Sequence, residues 1–293
     1  MTADVFPGTG LFQRAAAGFA ASIPDKPADD GFFGPGSVTW RLHGDLSGPV
    51  AGLRALLLQA LHPLAMAGVD EHSQWRDDPG GRFASTSAYV LVTTYGDRDA
   101  ARAVNDRVRQ IHEWVHGTDP VTGQPYAASD PALLIWVHAA LVDSYLAAAS
   151  RYGLALSAAE QDQYVAEMTA AAELVGVPPG LAPASKSALD AYFTAVRPSL
   201  ATSQSTADTA SYLLSMPDVE PELADVYQVI AAAAVATLPD WARAMYGRAA
   251  GAEPDREEVR QVLGLLDAVT LGEPGVLEAR QRIIVRMRAA EGS

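Results

Sequence analysis

Five of the six histidines fall between Gln59 and Asp143, in short blocks that also carry arginine, glutamate and aspartate. The blocks are Gln59-Ala-Leu-His62-Pro63, Gly68-Val-Asp-Glu71-His72-Ser73, Arg82-Phe-Ala-Ser-Thr86, Arg109-Gln-Ile-His112-Glu113-Trp-Val-His116-Gly117, and Asp130-Pro131 running to Trp136-Val-His138. Only His43 lies outside them, and the second half of the chain holds no histidine. A reactive centre is therefore expected in this window.

Each block admits a definite chemistry beside an ordinary structural role. His112, Glu113 and His116 form an H-E-x-x-H. On a helix its two imidazoles share a face and can bind one zinc, with the glutamate as general base. Against zinc, the helix is expected to stop at Gly117, and no third ligand follows at a helical spacing. His112 also has Val108, Ile111 and Val115 around it. That setting suits a packed core histidine. It suits equally an axial haem ligand, which needs a neutral imidazole in a dry apolar pocket. Spacing does not separate the two. Arg82 and Thr86 lie four apart and face the same way. The arginine can fork onto a carboxylate such as a haem propionate, or pair with Asp77 or Asp78. His138, on the face of Leu134, Leu141 and Val142, is a second candidate pocket histidine. Glu71 is a candidate acid or base, or a surface charge. His62 and His72 are weaker candidates.

Composition narrows the setting. The 293 residues suffice for one large domain or two small ones, and 49% are hydrophobic, ample for a core. The absence of cysteine excludes disulfides, thiolate metal sites, a cysteine nucleophile and a thiolate-ligated haem. A net charge of −14 argues against nucleic acid and against an anionic membrane surface. The start, Met1-Thr-Ala-Asp-Val, lacks the pattern of a signal peptide. The longest apolar stretches, around 51–67 and 226–238, are broken by Arg54, Gln59, His62 and Gln228, so no span of roughly 18 residues is expected. A cytoplasmic location follows by default.

The elements that must position these residues read as helices throughout. Apolar spacing marks helices over 7–23 and 49–66, with a kink or break at Pro63. The stretch 24–40 reads as irregular, and 77–81 as a charged turn. Helices follow over 82–95, closed by Gly96, and 97–116, capped by Asp97 and ended by Gly117. The segment 118–129 reads as a loop. Asp130-Pro131 starts a helix to Tyr152, and Ser157 to Glu160 is a capping box opening one that ends at Gly176. Further helices are expected over 185–196, 206–216, 221–245, 255–269 and 274–290. In the last, Arg280, Arg282, Arg286 and Arg288 are expected to form a solvated face. The fold class is all-α: one globular domain of about ten helices over residues 1–293.

Taken together, and in order, the blocks from Gln59 to Pro179 resemble the DUF2236 family. It includes the rubber oxygenases (latex clearing proteins) and the fungal oxygenase that cleaves a farnesyl side chain in mycophenolic acid biosynthesis. The matching residues are Gln59, His62-Pro63, Gly68-Val69, Glu71-His72-Ser73, Arg82 and Thr86, Val108-Arg109, His112, Gly117, Pro125-Tyr126, Asp130-Pro131 and Trp136-Val137-His138. The family-like core is placed at about 34–250. The resemblance implies a helical fold enclosing a haem b pocket, with His112 as the iron ligand and His138 as second choice. It implies Arg82 and Thr86 beside the haem, and Glu71 as the nearest match to a catalytic glutamate. Ser85 stands where the rubber oxygenases carry a lysine that reaches the iron, so the distal position is open or taken by water. The implied activity is a haem-dependent oxygenase using dioxygen, an electron donor of unknown identity, and a hydrophobic alkene- or terpenoid-like substrate. A haem- or lipid-binding protein without turnover, and the zinc hydrolase, stand beside it. The sequence does not give the oligomeric state.

Overall fold

The caps written into the sequence start most of the helices where they stand. The computed structural model describes residues 11–73, 78–217, 219–248 and 253–292. Its helices, in order, are α1 (Leu11–Ser22), α2 (Val38–His43), α3 (Gly48–Gln59), α4 (Pro63–His72), α5 (Pro79–Tyr95) and α6 (Arg98–Trp114). Two short strands follow, β1 (His116–Thr118) and β2 (Pro125–Ala127). The rest is α7 (Pro131–Tyr152), α8 (Ala158–Val175), α9 (Lys186–Val196), α10 (Gln204–Ser215), α11 (Ala224–Thr237), α12 (Asp240–Met245), α13 (Arg256–Leu271) and α14 (Val276–Glu291). Asp78, Asp97, Asp130, Ser157 and Ser185 each accept a backbone N–H in the first turn they precede. Gly176 closes α8 in the left-handed conformation, at φ 115°.

The all-α class holds, with fourteen α-helices among the described residues instead of about ten. Pro239, which cannot donate to the helix, divides the expected helix over 221–245 into α11 and α12. The supposed turn 77–81 contains the start of α5, because Asp78 caps it and Pro79 takes its first position. The supposed loop 118–129 closes an antiparallel hairpin in which Gly117 pairs with Tyr126.

The centre of the molecule is the packing of α7 along α3, with α11 and α8 against them. Trp136, Ala139, Ala140 and Ala148 of α7 are fully enclosed. At Pro131–Tyr152 this helix is long and apolar enough to cross a membrane, contrary to the sequence expectation. With 67% of its apolar window buried, it packs as a core helix. One buried cation crosses the core. Arg54 of α3 donates to Asp143 at 2.7 Å, to Ser144 Oγ at 2.7 Å and to the Thr237 carbonyl at 2.9 Å.

Pro63 turns the chain by 102° between α3 and α4. The break leaves carbonyls at the end of α3 without helical partners. Other elements supply them. Tyr246 OH donates to Leu57 O, Trp136 Nε1 to Gln59 O, Thr206 Oγ1 to Ala60 O and the Ala201 N–H to Leu61 O.

Helix α14 inverts the expected pattern. Arg280 pairs with Asp267 of α13, and Arg282 pairs with Asp25 and donates to Ile23 O. Arg286 pairs with Asp30, donates to Tyr95 O and lies 4.5 Å from the Trp40 ring centre. These three arginines face the protein, where carboxylates and loop carbonyls satisfy them; only Arg288 faces solvent as expected.

Candidate active site

Helix order brings most of the candidate blocks to one end of the molecule. The end of α4, the start of α5, the end of α6, the hairpin and the start of α7 lie there. Register between α5 and α6 follows from Asn105, which is fully buried. Its Oδ1 accepts from Tyr89 OH at 2.8 Å and its Nδ2 donates to Thr93 Oγ1 at 3.1 Å. Continuing this antiparallel register sets Arg82 level with the last turn of α6, which carries His112. Thr86 follows about one turn behind, on a solvent-facing position. The side chain of Arg82 and all of Asp77 lie outside the described residues, while Asp78 pairs with Arg14 at 3.1 Å. From Ala84 to Val92 no α5 side chain is fully enclosed, although α1, α6 and α2 pack on this helix.

His112 is half-buried near the end of α6, between the exposed side chains of Ile111 and Trp114. The zinc geometry fails here. Helix α6 ends at Trp114, Val115 is extended, and His116 is the first residue of β1. The two imidazoles therefore do not share a helical face. No group of three metal-binding side chains is found among the described residues.

His138 is enclosed in α7, one turn inward of Leu134. Burial pushes its pKa down to about 4, so the ring is neutral at pH 7. Among the described residues nothing hydrogen-bonds to it. Gly176, at the end of α8, has Arg109 of α6 and Leu134 of α7 each 3.6 Å from where a Cβ would stand. His112 lies one turn outward of Arg109 along α6.

Glu71 does not face the α5–α6 side by itself; a small hydrogen-bonded group holds it against the hairpin. Tyr126 OH donates a short hydrogen bond to Glu71 Oε2, and accepts from His72 Nε2 at 3.1 Å. Burial, and then the Glu71 carboxylate, raise the pKa of this phenol well above its usual value. Gly117 makes the group possible. A Cβ there would stand 2.8 Å from both Glu71 Oε2 and Tyr126 OH. Between α4, the hairpin and the start of α10, Asp70, Glu71 and Asp119 line a cavity of about 430 Å3 with Met66, Ser203 and Ser205.

His62 caps α4 beside Trp136, with its Nδ1 buried and no partner for that atom among the described residues. Burial lowers its pKa, against the opposing pull of the Asp130 carboxylate.

Two groups carry no role in the sequence expectation. Tyr126 stands in a matched block, but the sequence does not show that it bonds Glu71. His43 is the other. Thr94 Oγ1 donates to Val90 O, so it accepts from His43 Nδ1 at 2.7 Å. Nε2 then accepts from Tyr164 OH at 3.0 Å, and the ring stacks 4.3 Å from Tyr145. Burial lowers the pKa of His43 to about 3. Its partners come from 51 and 121 residues away, so no local signal reveals it.

The described residues thus form a helical domain with an enclosed, neutral His138 and a Glu71 carboxylate bonded to Tyr126. The family model described as "ER-bound oxygenase mpaB/B'/Rubber oxygenase, catalytic domain" matches residues 40–269. The chain belongs to this family of oxygenase catalytic domains, and with it come dioxygen and an oxidisable substrate. No curated protein and no solved structure matches the chain.

Proposed function

We propose that the protein is a haem-b-dependent oxygenase acting on a hydrophobic, alkene- or terpenoid-like small molecule. The observation that carries this reading is the neutral imidazole of His138, enclosed in α7. A histidine ligates iron through an unprotonated nitrogen, and burial is what keeps the ring in that state. The residues thus fit the group. His112 would hold the iron, with His138 as the second candidate, and Arg82 would pair a propionate. When bound, haem supplies the binding and reductive activation of dioxygen, with electrons from an external donor.

The chain's own residues do the rest. The partly covered side chains of α5, Ala88, Val90 and Leu91 among them, present a mainly apolar wall suited to a hydrophobic substrate, with Thr86 at its solvent edge. Glu71, fixed by Tyr126, is the group positioned to hold or release a proton at Oε2 or Oε1. Its exposure keeps it in exchange with solvent.

The test is an absorption spectrum of protein expressed with added haem, oxidised and then reduced. A Soret band that shifts on reduction and is lost in His112→Ala supports haem and assigns the ligand. Loss in His138→Ala instead transfers the role to His138. A colourless wild-type protein that takes up no haem sinks the proposal. Oxygen uptake with a reductant and a candidate alkene then separates turnover from binding alone.

A further inference from the structure

We propose that α14 forms the contact through which two copies of this chain pair, antiparallel about a two-fold axis. The inference is independent of the haem reading. It begins with the inversion of α14. With Arg280, Arg282 and Arg286 turned inward, the outward face of the helix is Leu277, Ile284 and Val285, and Val285 is 65% exposed. Beside it, α13 leaves Leu265 and Val269 in solvent. The Asp267–Arg280 ion pair holds the two helices together. Five of the eleven exposed large hydrophobic side chains of the described residues thus lie on this hairpin. Asp267, which faces α14, stands about 200° around α13 from Leu265, so the apolar strip is that of α14 itself: Leu277, Ile284 and Val285. A standard interface buries roughly 800 Å2 per partner, about half of it apolar, so the polar rim of α14 must take part in the contact.

The charges on the same face select a second copy. Glu278 and Arg288 are both exposed, and neither has an ion-pair partner among the described residues. They stand ten residues apart on one helix, about 15 Å, too far to meet each other. Antiparallel pairing about the level of Ile283 sets Glu278 of each copy opposite Arg288 of the other, twice by symmetry. The same register lays Gln281 level with Val285 of the second copy. A like-charged or uncharged pattern would not choose this arrangement.

Sedimentation equilibrium of the full chain tests it. The expected mass is twice 30.8 kDa at micromolar concentration. Glu278→Arg and Arg288→Glu should each weaken the dimer roughly tenfold, and the double reversal should restore it. Ile284→Glu should give a monomer with unchanged helicity, because the position is exposed, and a melting temperature that no longer depends on protein concentration. A single-chain mass up to about 1 mM overturns the proposal. So does a dimer on which the reversals have no effect, or one that the double reversal fails to rescue. Binding of the wild-type monomer to zwitterionic vesicles, lost in Ile284→Glu, also overturns it and gives the face to a lipid surface.

Discussion

Lowering the pH from about 7.5 to about 5.5 should remove roughly 3 kcal/mol of stability, by a mechanism seated in the imidazoles of the core. His43 and His138 have ordinary values of 6.5, and burial lowers them to about 3 and about 4. The folded values are depressed, so in this window the unfolded chain binds protons that the folded chain refuses. Stability is therefore full above 6.5 and falls as the pH falls towards the folded values. Over this interval each such histidine loses about 1.4 kcal/mol, whatever its exact folded value, provided that lies well below the lower pH. His62, also lowered, adds to the loss. The window sits above the range in which carboxylates titrate, so Asp97 and Asp119, both lowered, contribute little. Urea unfolding followed by circular dichroism at the two pH values measures the difference. His138→Gln should remove about one histidine's share of the slope. A stability that stays flat across the window, or a slope indifferent to His138→Gln, would refute the claim that these rings are neutral because they are enclosed. It would also remove the main structural support for iron ligation.

Three further outcomes follow from named contacts. Asp143→Ala should cost about 3–5 kcal/mol, because it strands the buried Arg54 guanidinium; Arg54→Met with Asp143→Leu should recover much of that loss in thermal unfolding. Gly117→Ala should cost roughly 1–2 kcal/mol, since the new methyl displaces Glu71 from Tyr126. Restoration of the melting temperature by adding Tyr126→Phe and Glu71→Ala would confirm that origin. Ser157→Ala should cost about 1 kcal/mol through loss of the α8 capping box, read from the urea midpoint.

Helix starts were legible in the sequence because their chemistry is local. Asp97, Asp130 and Ser157 act on N–H groups within three residues, and Gly176 on the turn just before it. The hairpin was not legible. Its strands have three residues each, too short for alternation to register, and only the Asp119-Pro120 and Gly123 turn signals hint at it. That miss extended α6 by two residues and put His116 on the wrong element. The α14 arginines were misread for a different reason. Periodicity defines which residues share a face but not which face is covered. Here Asp25, Asp30 and the carbonyls of Ile23 and Tyr95 cover the charged one. In the candidate site, the ordered blocks come together at one end of the molecule. The bonds of Glu71 and His43 depend on Tyr126, Thr94 and Tyr164, which only the tertiary fold brings within reach.

The corner at Pro63 has a bearing on modularity. Nearly every residue proposed for chemistry lies before Tyr152, which invites cutting the chain there to obtain a minimal catalyst. The carbonyls at the end of α3 forbid it. Three of the four donors that other elements supply, Ala201, Thr206 and Tyr246, come from residues 140, 146 and 189 positions further along. A truncated chain would keep its candidate ligands and lose the groups that finish the helix beneath them. Ribosomal synthesis meets the same constraint: the window is made first, yet the corner beside it closes only after most of the remaining chain has emerged.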